Sequence, residues 1–345
     1  MLKKPQKKKM LAKLIPPKER VAVVGSGSWA TALVKMLTDN RVRVFWYIRN
    51  PEVCQYMEEK RHNPNYLSAI SFKKRKLTLS SSINEVVDAA EIILFATPSI
   101  YLLKELEKLT IPFGDKSIIS AIKGVIPDKL SVIGTHFHET YHIDWDHIGV
   151  IAGPSHAEEI AMERLSYLTV ASQNSFLTQT LSRLLENAYV RVKQSNDVIG
   201  IEYAAMLKNI YAIAAGIAHG LNYGDNFQSV LMSNAIREMK RFIRKVYRLK
   251  RDINNTAYLG DLLVTGYSIF SRNRTFGNMV GKGYSVQAAQ LEMNMIAEGY
   301  FASKSAKHIA DSFQVKTPII DAVYAVLYEE KKAKKIFARL AKKLD

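Results

Sequence analysis

The chain has 345 residues, 48% of them apolar and 23% charged, enough for more than one buried core and therefore for two domains. Its single cysteine, Cys54, excludes an internal disulfide, and no Cys/His cluster suited to a metal appears; no apolar run reaches the ~18 residues of a membrane span. The net charge of +17 is concentrated at the ends, with +7 in residues 1–20 and +4 in residues 329–345.

Residues 1–19 read as a disordered basic tail closed by Pro16 and Pro17. Its MLAKLI stretch is too short for a signal peptide, which predicts a cytoplasmic protein. The clustered lysines suit a weak contact with an anionic membrane surface. No aromatic is interleaved with them to stack on bases, which argues against nucleic acid. From Arg20, RVAVVGSGSWATALVKMLTDN predicts a strand, a glycine turn and a helix, and VRVFWYI gives a second strand ending at Arg49. Further apolar runs at 92–96, 117–122 and 148–152, separated by helical or polar stretches, predict buried parallel strands. Two more strand-like runs, YLTVAS and YVRVKQ, precede the capping residues Ser195, Asn196 and Asp197. Helical patterns dominate beyond them. The expected fold is α/β: a Rossmann-like doubly wound, mostly parallel sheet over 20–195, followed by an all-α domain over 196–345.

Gly25-Ser26-Gly27-Ser28-Trp29-Ala30 is a GxGxxA turn between a strand and a helix. There the glycines let a pyrophosphate approach and the helix N-terminus offers it free N–H groups. The second strand ends on Arg49 with no acid until Glu52, a pattern that favours the 2′-phosphate of NADP over the 2′-hydroxyl of NAD. Other strand ends carry Thr97-Pro98-Ser99, Lys123-Gly124 and Gly153-Pro154-Ser155-His156. Lys123 can place a cation in the cleft, while Ser155 with Glu158 also reads as a helix-capping box.

The helix 202–220 is apolar nearly all round, the mark of a helix in a protein interior. Lys208 stands in its middle on a face cleared by Ala204, Ala205 and Ala212, where a charge needs a partner or a task. Glu202 and a distant acid are both candidate partners, and Asp261, after Gly260, is one such acid. Ser271-Arg272-Asn273-Arg274 resembles an oxyanion clamp, since guanidinium groups grip phosphate bidentately.

Taken in order, GSGSWATAL, AIKG, AGPSHAEE, EYAAMLKNIYAIAAGIAHGL, LGDLLVT, SRNRTFG and the stretch around Glu298-Gly299 resemble the bacterial NAD(P)-dependent glycerol-3-phosphate dehydrogenase family over residues 20–330. Ala30 replaces the family's usual third glycine, and Asn222-Tyr223-Gly224 its more glycine-rich turn. The resemblance implies reversible hydride transfer between NAD(P)H and dihydroxyacetone phosphate, giving sn-glycerol 3-phosphate for phospholipid synthesis, with no metal. It implies that Lys208 is the catalytic acid/base and that Lys123, Gly153, Ser155, Asp261, Ser271, Arg272 and Asn273 surround the substrate. Ser28, Trp29, Arg49, Lys123, Ala157, Arg272, Ile296 and Glu298 would line the coenzyme site, with Gly25 and Gly27 beneath it. A homodimer is the candidate assembly. Two other readings use the same residues: an NADP-dependent reductase of another phosphorylated or carboxylated ketone, and a catalytically silent NADP-binding redox sensor. Intact Lys208, Asp261 and Arg272 argue against the sensor.

Overall fold

Valine- and isoleucine-rich runs form strands here because branched side chains fit a pleated surface buried on both faces. The computed structural model describes residues 19–127, 129–293 and 297–345, so the basic tail before Glu19 lies outside the described residues. The first half runs β1 (Arg20–Val24), α1 (Ser28–Asp39), β2 (Arg43–Tyr47), α2 (Pro51–Lys60), β3 (Leu77–Ser80), α3 (Ile83–Asp88), β4 (Ile92–Phe95), α4 (Leu102–Leu106) and β5 (Ser117–Ser120). A short hairpin of β6 (Val125–Ile126) and β7 (Ser131–Val132) leads into α5 (Ile133–Tyr141), β8 (Ile148–Ala152) and α6 (Ala157–Ala161). Then come β9 (Ser166–Ser172), α7 (Ser175–Leu185) and β10 (Val190–Ser195).

Eight of the described strands form one sheet in the order β10-β9-β8-β5-β4-β1-β2-β3, and β6 pairs with β7 apart from it. All neighbours in the sheet are parallel except β8 and β9. This is the mostly parallel, doubly wound sheet expected from sequence. β3 and the β6–β7 hairpin were not expected. β3 is a partly exposed edge strand without an apolar run, and the hairpin strands have two residues each. The strand order reverses between β1 and β4, and such a switch point opens a ligand crevice beyond the carboxyl ends of the strands. Alternate residues of each strand feed two cores. Val21, Val23, Ile92 and Leu94 pack with α1, and Ala22, Val24, Ile93 and Phe95 share one core with the helices that follow.

The second half begins with α8 (Val198–Gly220), capped by the Asp197 carboxylate, which accepts the Gly200 N–H at 3.0 Å. Then follow α9 (Asp225–Val246), a π-helical turn (Thr256–Gly260), α10 (Asp261–Tyr267), α11 (Arg272–Gly281), α12 (Val286–Glu292), α13 (Glu298–Ser312), α14 (Pro318–Leu327) and α15 (Ala333–Ala341). By length and hydropathy α8 alone among the described helices could cross a membrane, yet 94% of its most apolar window is buried inside the protein. It is the axis of the helical half. Glycines let α11 lie directly on it: a Cβ at Gly216 would stand 2.1 Å from the Arg274 carbonyl oxygen, and one at Gly277 2.2 Å from that of Ile213. That close crossing brings the 271–274 segment beside Lys208.

Candidate active site

Gly25 adopts φ +127°, and a Cβ there would sit 2.7 Å from the Ala96 carbonyl oxygen, so the turn after β1 admits only glycine. The turn is stitched from outside. Trp46 Nε1 donates to the Gly25 carbonyl at 2.6 Å, and Asn63 Nδ2 donates to the Ser26 carbonyl at 3.0 Å and to Thr31 Oγ1 at 2.9 Å. Gly27 is the N-cap of α1, no side chain caps that end, and its first turn holds no acid. A Cβ on Gly27 would meet nothing within 4 Å, so the free amides of α1 face open space, a cradle that fits a pyrophosphate.

Lys208 and Asp261 are 3% and 1% exposed and form an ion pair. Asp261 follows the π-helical turn directly, and its second carboxylate oxygen has no partner. Of the two candidate partners for Lys208, the structure thus selects the distant acid. Glu202 points elsewhere: its carboxyl accepts the Gly134 N–H at 3.0 and 3.2 Å, and burial raises its pKa to about 8.

Lys123, just beyond β5, extends over the Trp29 ring, 4.9 Å from its centroid. Its Nζ donates weakly to the Ser155 carbonyl and hydroxyl at 3.4 and 3.5 Å. Burial, and then the neighbouring Lys208 charge, lower its pKa to about 7. The Trp29 indole is fixed by donating to the Ala121 carbonyl at 3.0 Å. Gly153 turns the chain after β8 at φ +105°. The expected capping box does not form: α6 starts after His156 without a side-chain cap, and the buried Ser155 hydroxyl instead donates to the Gly153 carbonyl at 2.9 Å. Glu158 turns to Arg272, 3.6 Å away.

Arg272 Nη2 also donates to Ser28 Oγ at 2.6 Å, spanning from the helical half to the glycine turn. Arg272 lines the cleft whereas Arg274 does not, so the clamp has one arginine rather than two. Ser271 Oγ caps α11 by accepting the Arg274 N–H at 3.3 Å. Asn273 is a brace. Its Nδ2 donates to Asn209 Oδ1 at 3.0 Å, its Oδ1 accepts the Gly299 N–H at 2.9 Å, and Asn209 Nδ2 in turn donates to the Lys123 carbonyl at 2.8 Å. The Glu298 carboxylate accepts the Ser99 N–H at 3.0 Å and the Ser99 hydroxyl at 2.6 Å, while burial pushes its pKa up.

Gly27, Ser28, Trp29, Lys123, Ser155, Ala157, Lys208, Asp261, Ser271, Arg272, Asn273 and Glu298 line one cavity of about 200 Å³. Gly25 and Arg49 line an adjoining one of about 400 Å³, and Ile296 lies outside the described residues. Sequence reasoning named His156 only as part of its strand-end turn, without a role, and passed over Asn209 and Glu105. His156 lines the first cavity, and burial with the Lys123 and Lys208 charges lowers its pKa to about 4, so it is neutral at pH 7. Its place next to Ser155 in the GPSH turn, and that of Asn209 next to Lys208, were the available signals.

A glycine-turn cradle at the switch point, meeting a buried lysine from a helical half, defines a nicotinamide-dinucleotide oxidoreductase. Residues 20–177 match the model of the NAD-dependent glycerol-3-phosphate dehydrogenase N-terminus, and residues 197–338 that of its C-terminus. The chain belongs to the NAD-dependent glycerol-3-phosphate dehydrogenase family. A curated relative from Bacillus velezensis, named an NAD(P)+ glycerol-3-phosphate dehydrogenase, is 33% identical over 320 residues, covering 91% of each chain. One of the same name from Lacticaseibacillus paracasei is 34% identical, covering 94% of this chain and 95% of its own. The crystal structure of glycerol-3-phosphate dehydrogenase from Coxiella burnetii superposes with a TM-score of 0.86 at 26% identity, covering 94% of this chain and 98% of that one.

Proposed function

We propose that the protein catalyses reversible hydride transfer between NAD(P)H and C2 of dihydroxyacetone phosphate, giving sn-glycerol 3-phosphate for phospholipid synthesis. The observation that carries this reading is the buried Lys208–Asp261 pair facing the cavity shared with the glycine turn. The dinucleotide supplies or accepts the hydride, and the residues that would hold it are Gly25, Gly27, Ser28, Trp29, Arg49, Lys123, Ala157, Arg272, Ile296 and Glu298. Reduction of the ketone places negative charge on its oxygen, and the Lys208 ammonium both stabilises that charge and gives up the proton. In the oxidative direction the Lys208 amine takes the proton back. Asp261 holds the ammonium in place, and Lys123 adds a second positive group. Arg272, with the N-terminal amides of α11 behind Ser271 and Asn273, holds the phosphate. Ser155 closes the far wall, and Gly153, which does not line the cavity, holds its hydroxyl. The remote phosphate charge thereby positions the carbonyl at Lys208.

In this reading residues 20–195 form the coenzyme domain and 196–345 the substrate domain. The enzyme is cytoplasmic and works as a homodimer. Its tail, with eight Lys/Arg in the first 20 residues, rests loosely on anionic membrane. Sedimentation with acidic liposomes, comparing the full chain with one starting at Glu19, tests the tail; equal pelleting removes that role. The main reading is tested by following NADPH and NADH oxidation with dihydroxyacetone phosphate, dihydroxyacetone and a 2-keto acid. Turnover of the phosphorylated ketone far above that of dihydroxyacetone, and none of the keto acid, is expected. Equal turnover of the keto acid would overturn the substrate assignment, and no turnover at all would leave the sensor.

A further inference from the structure

Strand β2 ends without the acid that reads a ribose 2′-hydroxyl in NAD-binding relatives of this fold, yet an acid stands in that place. It comes from α4. Glu105 is only 4% exposed and lines the 400 Å³ cavity together with Gly25, Tyr47, Arg49 and Tyr101. Its two oxygens are used unequally. Oε2 accepts the Tyr47 hydroxyl and the Lys108 ammonium, each at 2.8 Å. Oε1 receives only Arg49 Nη1, at 3.5 Å, which leaves it acceptor capacity. Arg49 itself is poised between two attractions, the Glu105 carboxylate and the Tyr101 ring, whose centroid lies 5.8 Å from its guanidinium carbon.

We propose that Glu105 is a coenzyme-selecting residue: it engages Arg49 and offers Oε1 to a ribose 2′-hydroxyl, offsetting the arginine's preference for a 2′-phosphate and keeping both nicotinamide coenzymes usable. The inference rests on the assignment of this cavity to the coenzyme. The physical argument concerns charge. A 2′-phosphate must draw Arg49 from a carboxylate that is already held in place, and it must then sit beside that carboxylate's negative charge. A 2′-hydroxyl faces neither cost and gains a charge-assisted hydrogen bond. Lys108 moderates the effect by neutralising part of the carboxylate. Its own side chain is 45% exposed, so the neutralisation is incomplete.

The test measures binding rather than turnover. Equilibrium titration of the full chain with 2′,5′-ADP and with 5′-AMP gives a ratio of affinities for wild type, Glu105→Gln and Lys108→Met. Glu105→Gln is expected to raise the ratio in favour of 2′,5′-ADP by about tenfold, the size of one charge-assisted contact. Lys108→Met, which leaves the carboxylate uncompensated, is expected to lower it. The NADPH-to-NADH ratio of kcat/KM should move in the same two directions. Structural damage alone would weaken both fragments together and leave the ratio in place. A ratio unmoved by Glu105→Gln, or moved the same way by both variants, overturns the proposal while wild-type binding of the fragments keeps the coenzyme reading. Failure of wild type to bind either fragment removes that reading and the proposal with it.

Discussion

At the closed end of the cleft Lys208 and Asp261 meet as an ion pair with almost no exposure, whereas at the open end Arg49 is 61% exposed and touches its carboxylate only at 3.5 Å. A buried pair is costly to break, because the partner left behind stays charged and dry. An exposed arginine on a long contact is cheap to move. The closed end can therefore hold one orientation for proton transfer. The open end can change partners and so discriminate between coenzymes that differ by one phosphate.

The largest expected effect breaks the closed end. Lys208→Ala should lower kcat by ~10²–10⁴ with little change in NADPH affinity, measured by steady-state kinetics and coenzyme titration. It should also destabilise the fold by ~3–5 kcal/mol, since Asp261 is left unpaired. Adding Asp261→Asn to Lys208→Met should restore thermal stability without restoring turnover; near-normal turnover in any of these variants would sink the acid/base assignment. Next, Arg272→Ala should depress kcat/KM for dihydroxyacetone phosphate ~10–100-fold more than for dihydroxyacetone, as expected for a lost charge-assisted bond. Equal losses would assign Arg272 to its Ser28 contact alone. A third effect is a pH profile. Since the Lys123 pKa is lowered to about 7, its charge is lost as pH rises through that value, and kcat/KM for the phosphorylated ketone should fall above it. Lys123→Met should abolish that limb, and an unchanged profile would show that this lysine does not set it. The smallest effect belongs to the open end. Arg49→Asp should shift the NADPH-to-NADH ratio toward NADH by about tenfold while kcat with NADH stays within about threefold. A large loss of kcat would erase the distinction between the two ends.

What was legible in the sequence follows the same division. The β1–turn–α1 unit could be read because its signals are local: an apolar run, glycines at fixed offsets, then a helical period. Lys208 stood out because a charge on an all-apolar helix violates the pattern around it. Its partner could not be chosen, since Asp261 lies 53 positions away and only the fold brings them together. Ser155 and Glu158 had the spacing of a capping box, but a competing acceptor, the Gly153 carbonyl, captured the hydroxyl. The same limit hid Glu105. It sits in a short helix after β4, and its relation to Arg49 exists only through the sheet order β4-β1-β2. The antiparallel pairing of β8 and β9 was equally invisible, because both strands are buried on both faces and read as the same apolar runs as their parallel neighbours.

The Glu202 carboxyl that accepts the Gly134 N–H has a consequence of another kind. It ties the central helix α8 to α5, which packs beneath the sheet, and the core around it runs without a break from β1, β4 and β8 into α8, α9, α13 and α14. That cluster joins residues of both halves, so neither half can lose its packing and leave the other's intact. Heating should then produce one calorimetric transition whose van't Hoff and calorimetric enthalpies agree, the mark of a single cooperative unit rather than two domains melting in turn.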